Sequence, residues 1–93
     1  PLGSNLDINA VTTGARVHLP VQVPGALLAA GDIHASMGDG ELTGGGIDIN
    51  AEVTVRVEVL PRLHWPRPWV ETAQSWVTIA NAPELAEAIR QSA

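Results

Sequence analysis

Between Asp32 and Glu41 the chain sets three carboxylates and one imidazole, those of Asp32, His34, Asp39 and Glu41, among glycines and other small residues. Carboxylate oxygens and a neutral imidazole nitrogen form a mixed donor set suited to Zn²⁺ or a similar divalent ion. Gly31, Gly38 and Gly40 allow the backbone to turn sharply enough to aim those donors at one centre. Acids this close repel one another unless a cation lies between them. The chemistry such a set supports is metal-assisted hydrolysis. A plainer reading stands beside it, because Gly-Asp-Gly is a common turn, Asx side chains cap their own backbone, and a lone loop histidine is often structural.

The remaining composition narrows the setting. Five Arg and no Lys face ten Asp and Glu, for a formal charge of −5, and the Arg are scattered from Arg16 to Arg90. Nucleic acid and anionic membrane surfaces both require a positive patch, so neither is an expected partner. No apolar run approaches the ~20 residues that span a bilayer, and no secretory signal is present, which makes a soluble cytoplasmic protein the default. The absence of Cys removes disulfides, thiolate nucleophiles and Cys-type zinc sites together. Any metal must then be held by His and oxygen. Residues 1–4 (Pro-Leu-Gly-Ser) look like the remnant of a cleaved expression tag, and residues 5–93 are expected to form one domain, a fragment of a longer enzyme.

The elements that must position the acidic run are mainly β. Val17, Leu19, Val21 and Val23 alternate with His18, Pro20 and Gln22, which predicts a half-buried strand at an edge or bulge because of Pro20. After the Pro24-Gly25 turn, residues 26–30 form a short apolar run, predicted as a buried strand leading into the acidic loop. Val53, Val55, Val57 and Val59 alternate with Glu52, Thr54, Arg56 and Glu58, the clearest strand pattern and the expected anchor of the core. Residues 47–50, after Gly44-Gly45-Gly46, continue that alternation and should join or pair with it. Pro66 and Pro68 make residues 64–69 an expected extended connection with packing indoles, followed by a short strand over residues 75–80. Pro83 at a first helical position, then Leu85, Ala86 and Ile89 on one face, predict a helix to about Gln91. The expected fold is mainly β, a β-sandwich-like domain with a short C-terminal helix.

Three blocks carry a resemblance: Asn5-Leu6-Asp7; Leu19-Pro20-Val21-Gln22-Val23-Pro24-Gly25-Ala26; and Gly31-Asp32-Ile33-His34-Ala35 with Gly38-Asp39-Gly40-Glu41. In order and spacing they resemble the C-terminal half of the acetamidase/formamidase family, over nearly all of residues 5–90. The resemblance implies hydrolysis of short aliphatic amides such as formamide or acetamide, a metal-containing site, and a β-sandwich-rich fold in oligomers. Thr43 stands where family members typically carry a Cys and Met37 where many carry Gln, and family enzymes are considerably longer. The N-terminal half should supply further site groups, so this chain alone is expected to be weak or silent in catalysis.

The roles that follow give His34 and Asp39 direct metal contacts, make Asp32 a ligand or the acceptor that orients an imidazole, and assign Glu41 as general base. Zn²⁺ is the first choice of ion. Ca²⁺, which prefers six to eight oxygens, comes second because of the central His. His18 and His64 are expected to pack or hydrogen-bond rather than ligate, and the three Trp to serve as core aromatics. A second reading makes the chain a non-catalytic β-domain that acts by association, as a homo-oligomer or with the missing N-terminal portion, since an apolar content of 45% is high for so small a surface. A third, a sugar-binding platform on Trp65 and Trp69, has only the two proline-flanked indoles in its favour.

Overall fold

The computed structural model describes residues 5–62 and 65–93, which hold five short strands and one helix: β1 (Arg16–His18), β2 (His34–Ser36), β3 (Ile47–Asp48), β4 (Trp69–Glu71), β5 (Trp76–Thr78) and α1 (Leu85–Ser92). The mainly β class with a short C-terminal helix is what the alternation predicts. By contact the chain divides into two units, one holding β1, β4, β5 and α1, the other holding residues 7–9 and 21–64 with β2 and β3. No helix among the described residues is long and apolar enough to cross a membrane.

In the first unit the sheet order is β1-β4-β5, all antiparallel, so β4 is central. Register places Val17, Val70 and Val77 side by side on one face, and Val70 is fully buried. On the other face Trp69 is only 6% exposed. His18, its direct cross-strand partner, stacks on it at 3.7 Å and 3°, while Trp76, one diagonal step along β5, stacks at 4.7 Å and 23°. Such cross-strand and diagonal ring pairs stabilise a sheet beyond their area burial. The hairpin loop from β4 to β5 is closed by Thr72: its N–H donates to the Ser75 carbonyl at 2.8 Å, and its hydroxyl oxygen accepts the N–H groups of Gln74 and Ser75. A hydroxyl that satisfies two turn amides removes the cost of leaving them bare.

The core therefore lies on β4, within the stretch the prolines suggested as a mere connection. Pro66 and Pro68 fall just before the ladder rather than in it, so they do not interrupt it. His64 lies outside the described residues. Of the three indoles only Trp69 is buried; Trp65 and Trp76 are largely exposed, with Trp65 tilted against Trp69 at 5.4 Å. The expected strand over residues 17–23 shrinks to Arg16–His18, because Pro20 has no N–H to continue the ladder.

Two further expectations are corrected. Residues 26–30 form no strand and are exposed, with Ala26 and Leu27 in left-handed backbone (φ 57 and 54) that a strand does not permit. Residues 52–59 belong to neither sheet, and Val53, Val55, Val57 and Val59 are 50–77% exposed. Alternation defines which face a strand would bury, but only a neighbour can bury it. Residues 47–48 pair instead with β2.

Helix α1 begins two residues after Pro83. Glu84 is extended (φ −108, ψ 129) and makes no side-chain cap, while its carbonyl accepts the N–H of Glu87 and Ala88. Glu87 receives Gln91 Nε2 and Arg90 Nη2, each at 2.7 Å, and the Thr78 hydroxyl donates to the Ser92 carbonyl at 2.6 Å, tying the helix end to β5.

Truncating Val70, the one fully buried side chain among the described residues, in Val70→Ala is expected to cost about 1–3 kcal/mol in urea unfolding. The Gln91 amide and the Arg90 guanidinium hold the Glu87 carboxyl below the usual glutamate range. A lowered folded-state value means stabilisation that is present above the ordinary glutamate range and lost as pH falls through the folded value. Acid titration of the helical circular-dichroism signal should show that loss in the parent and a smaller one in Glu87→Gln.

Candidate functional site

Within the second unit the acidic run folds back on a very small hairpin. β2 and β3 are antiparallel with His34 opposite Asp48 and Ser36 opposite Ile47, and the register shifts by a bulge between His34 and Ser36. Ile49 N–H then donates to the Ile33 carbonyl at 3.2 Å. A bulge re-aims side chains and increases local twist. Here it sits at the one histidine of the motif.

The His34 side chain is 11% exposed, and carboxylates approach both ring nitrogens. Asp48 Oδ1 lies 3.2 Å from Nδ1, and Asp32 Oδ1 and Glu41 Oε1 each lie 3.7 Å from Nε2. Nδ1 is buried, yet the Asp48 approach lacks hydrogen-bond geometry and Nδ1 has no hydrogen-bond partner. One donor atom each from Asp32, His34 and Asp48 falls within a 4.8 Å cluster, the one such group among the described residues. An imidazole with oxygens at both nitrogens can present one nitrogen to a cation while the other is oriented by a carboxylate.

Backbone geometry shapes this centre. Asp32 (φ 58) and Glu41 (φ 45) both occupy the left-handed region, which is costly for residues with a Cβ and recurs at ligand sites held by their surroundings. Gly46 lies flat against the imidazole: a Cβ built there would meet His34 Cγ and Nδ1 at 2.6 Å. Gly46, the last glycine of the run, is thus the close-approach position, while Gly44 and Gly45 face open space.

Asp39 goes elsewhere. Its Oδ1 accepts the Asn9 N–H at 2.7 Å, and the neighbouring Gly40 N–H donates to the Asp7 carbonyl at 2.7 Å. Consecutive turns close by Glu41 N–H to the Gly38 carbonyl (3.0 Å) and Gly44 N–H to the Glu41 carbonyl (2.8 Å). Residues 7–9 are in this way clamped to the loop between β2 and β3. Of the four predicted site residues the fold brings Asp32, His34 and Glu41 together, leaves Asp39 in a backbone-clamping contact, and adds Asp48. The sequence signal for Asp48 was its place in the alternation of residues 47–50, which needed only the right partner strand to bring it to His34.

The first unit has its own polar group, and it is internally satisfied. His18 Nε2 lies 3.4 Å from Glu71 Oε2, and Arg16 Nη1 lies 3.8 Å from Glu71 Oε1, following the Arg16–Glu71 register pair. His18 therefore packs and pairs, as its strand position suggests.

Three curated relatives match the same stretch length. The chain is 44% identical over 59 residues to a protein of Schizosaccharomyces pombe that carries a formamidase name, and 41% identical over 59 residues both to an acetamidase of Mycolicibacterium smegmatis and to a formamidase of Methylophilus methylotrophus. Each match covers 62% of this chain and 14% of the relative, so the chain spans about one seventh of the length of these proteins. No solved structure matches it significantly. The acetamidase/formamidase family model matches residues 2–68, a span that contains the whole His34 centre, and the chain belongs to that family.

Proposed function

We propose that this chain carries part of the site of a metal-dependent hydrolase that converts short aliphatic amides, formamide or acetamide, to the carboxylate and ammonia. The family membership supports amide hydrolysis. The observation that carries the metal is the crowding of Asp32, Glu41 and Asp48 oxygens around a largely buried imidazole whose Nδ1 has no hydrogen bond. Asp32, His34 and Asp48 are the residues that would hold the ion, a three-donor N/O set of the kind catalytic zinc sites use. Ca²⁺ is the weaker candidate, since it takes more oxygens and avoids imidazole.

When bound, the ion supplies a Lewis acid for the amide carbonyl and lowers the pKa of water toward ~7. The protein's own contribution is a base and a fixed geometry. Glu41 accepts a proton from the attacking water as the C–O bond forms, and returns it to the nitrogen as the C–N bond breaks and ammonia leaves. Asp32 and Glu41 face Nε2 of the ring, and Asp48, the third candidate donor, faces Nδ1.

Titration of the purified chain with Zn²⁺ should show binding that His34→Ala abolishes, and Glu41→Gln should retain the metal while losing any ammonia release from formamide and acetamide by about 10²-fold or more. Neither zinc binding nor ammonia release from this chain would leave the associative reading in front. Gly46→Ala places a methyl where the ring sits, so zinc affinity should fall about tenfold or more and the His34 imidazole NMR signals should move, with the first unit's tryptophan fluorescence unchanged.

A further inference from the structure

Residues 49–59 read Ile-Asn-Ala-Glu-Val-Thr-Val-Arg-Val-Glu-Val, and beyond the Ile49 bond to Ile33 the segment takes no part in either sheet. Its odd positions are all apolar and its even positions all polar, so an extended conformation has one greasy face and one wet one. Four exposed valines in a row on an unladdered segment are a template for strand addition. The pattern also has a centre. Folded about Thr54, it matches itself: Val53 faces Val55, Glu52 faces Arg56, Ala51 faces Val57, Asn50 faces Glu58 and Ile49 faces Val59.

We infer that residues 49–59 pair antiparallel with the same segment of a second copy of this chain, about a two-fold axis through Thr54. Competing two-fold registers are worse for stated reasons. Centring on Val55 sets Glu52 against Glu58 and Asn50 against Leu60. Centring on Arg56 opposes the two guanidinium groups, and centring on Val53 sets Asp48 against Glu58. Centring on Val57 draws Pro61, which has no N–H, into the ladder and opposes Thr54 to Leu60. Only the Thr54 axis uses the full segment with no apolar-polar mismatch and no like-charge pair, and it forms the Glu52–Arg56 pair twice, once on each side of the axis. Opposite charges directly across an antiparallel pair favour a register, and like charges disfavour it. An isologous contact of this kind closes on itself as a dimer rather than growing into a fibre. The inference does not rest on the amide-hydrolysis reading, since no side chain of residues 49–59 is among the donors around His34, and Ile49 touches that hairpin only through its backbone bond to Ile33.

The absence of Cys makes the register directly readable, because any disulfide formed by a single-Cys variant must join two copies. Residues directly opposite in an antiparallel pair have Cα atoms about 4.5–5.5 Å apart, inside the range a disulfide spans. Sedimentation of the full chain over a concentration series should show a monomer–dimer equilibrium. Under mild oxidation Thr54→Cys should give covalent dimer much faster than Val57→Cys, whose partner in this register is Ala51. Arg56→Glu should raise the dimer dissociation constant about tenfold, and adding Glu52→Arg should restore it, with tryptophan fluorescence reporting that each variant keeps the first unit folded. A chain that stays monomeric at all concentrations overturns the inference. So does equal crosslinking at positions 54 and 57, or a dimer indifferent to Arg56→Glu.

Discussion

The His34–Asp48 register pair is the constraint on which the candidate site depends. β3 is only two residues long, so the pairing is short and its position is held by a bulge at His34 and by the Ile49–Ile33 hydrogen bond. A shift of one residue would turn Asp48 to the other side of the hairpin, since strand side chains alternate. It would also move Gly46 off the imidazole, where no other residue fits. With the register in place, the left-handed backbone at Asp32 and Glu41 brings two more carboxylates to the opposite nitrogen. Each left-handed residue costs on the order of 1–3 kcal/mol. The turns that follow Gly38 and the clamp from residues 7–9 are the local contacts that hold the loop in that conformation.

The two units handle polar groups in different ways. In the sheet of β1, β4 and β5, Arg16, His18 and Glu71 are neighbours by register and satisfy one another, while Trp69 fills the space beside them. That arrangement is what a stable sheet surface needs. Around His34 the charge is uneven, with three carboxylates to one imidazole, whereas a buried ring nitrogen without a hydrogen bond occurs in both units, at His34 Nδ1 and at Trp69 Nε1.

Burial is thin. Among the described residues only Trp69 and Val70 are buried, while many large aliphatic side chains are exposed. The helix shows the same deficit, with Leu85 and Ile89 uncovered on its apolar face. Among the described residues the valines of residues 53–59 have no sheet neighbour, so their apolar faces contribute little burial there.

The acidic motif, the resemblance it carries, the mainly β class and the final helix were all legible in residue type and spacing, because those signals are local. Glycines mark turns and alternation marks a pleated segment whatever the chain does elsewhere. What tertiary structure decided was partnership. Alternation in residues 47–59 marks two faces, yet which part of it pairs, and with what, depends on a strand distant in sequence: Asp48 meets His34, while the more regular valines of residues 53–59, expected to anchor the core, join neither sheet among the described residues. The core went to Trp69 and Val70 for the same reason, since burial belongs to the segment with neighbours on both sides. Asp39, as acidic as the rest, found the Asn9 N–H instead of the imidazole. Spacing along the chain fixes the order of donors, whereas convergence on one atom is set by backbone direction and strand register, and those exist only in the folded molecule.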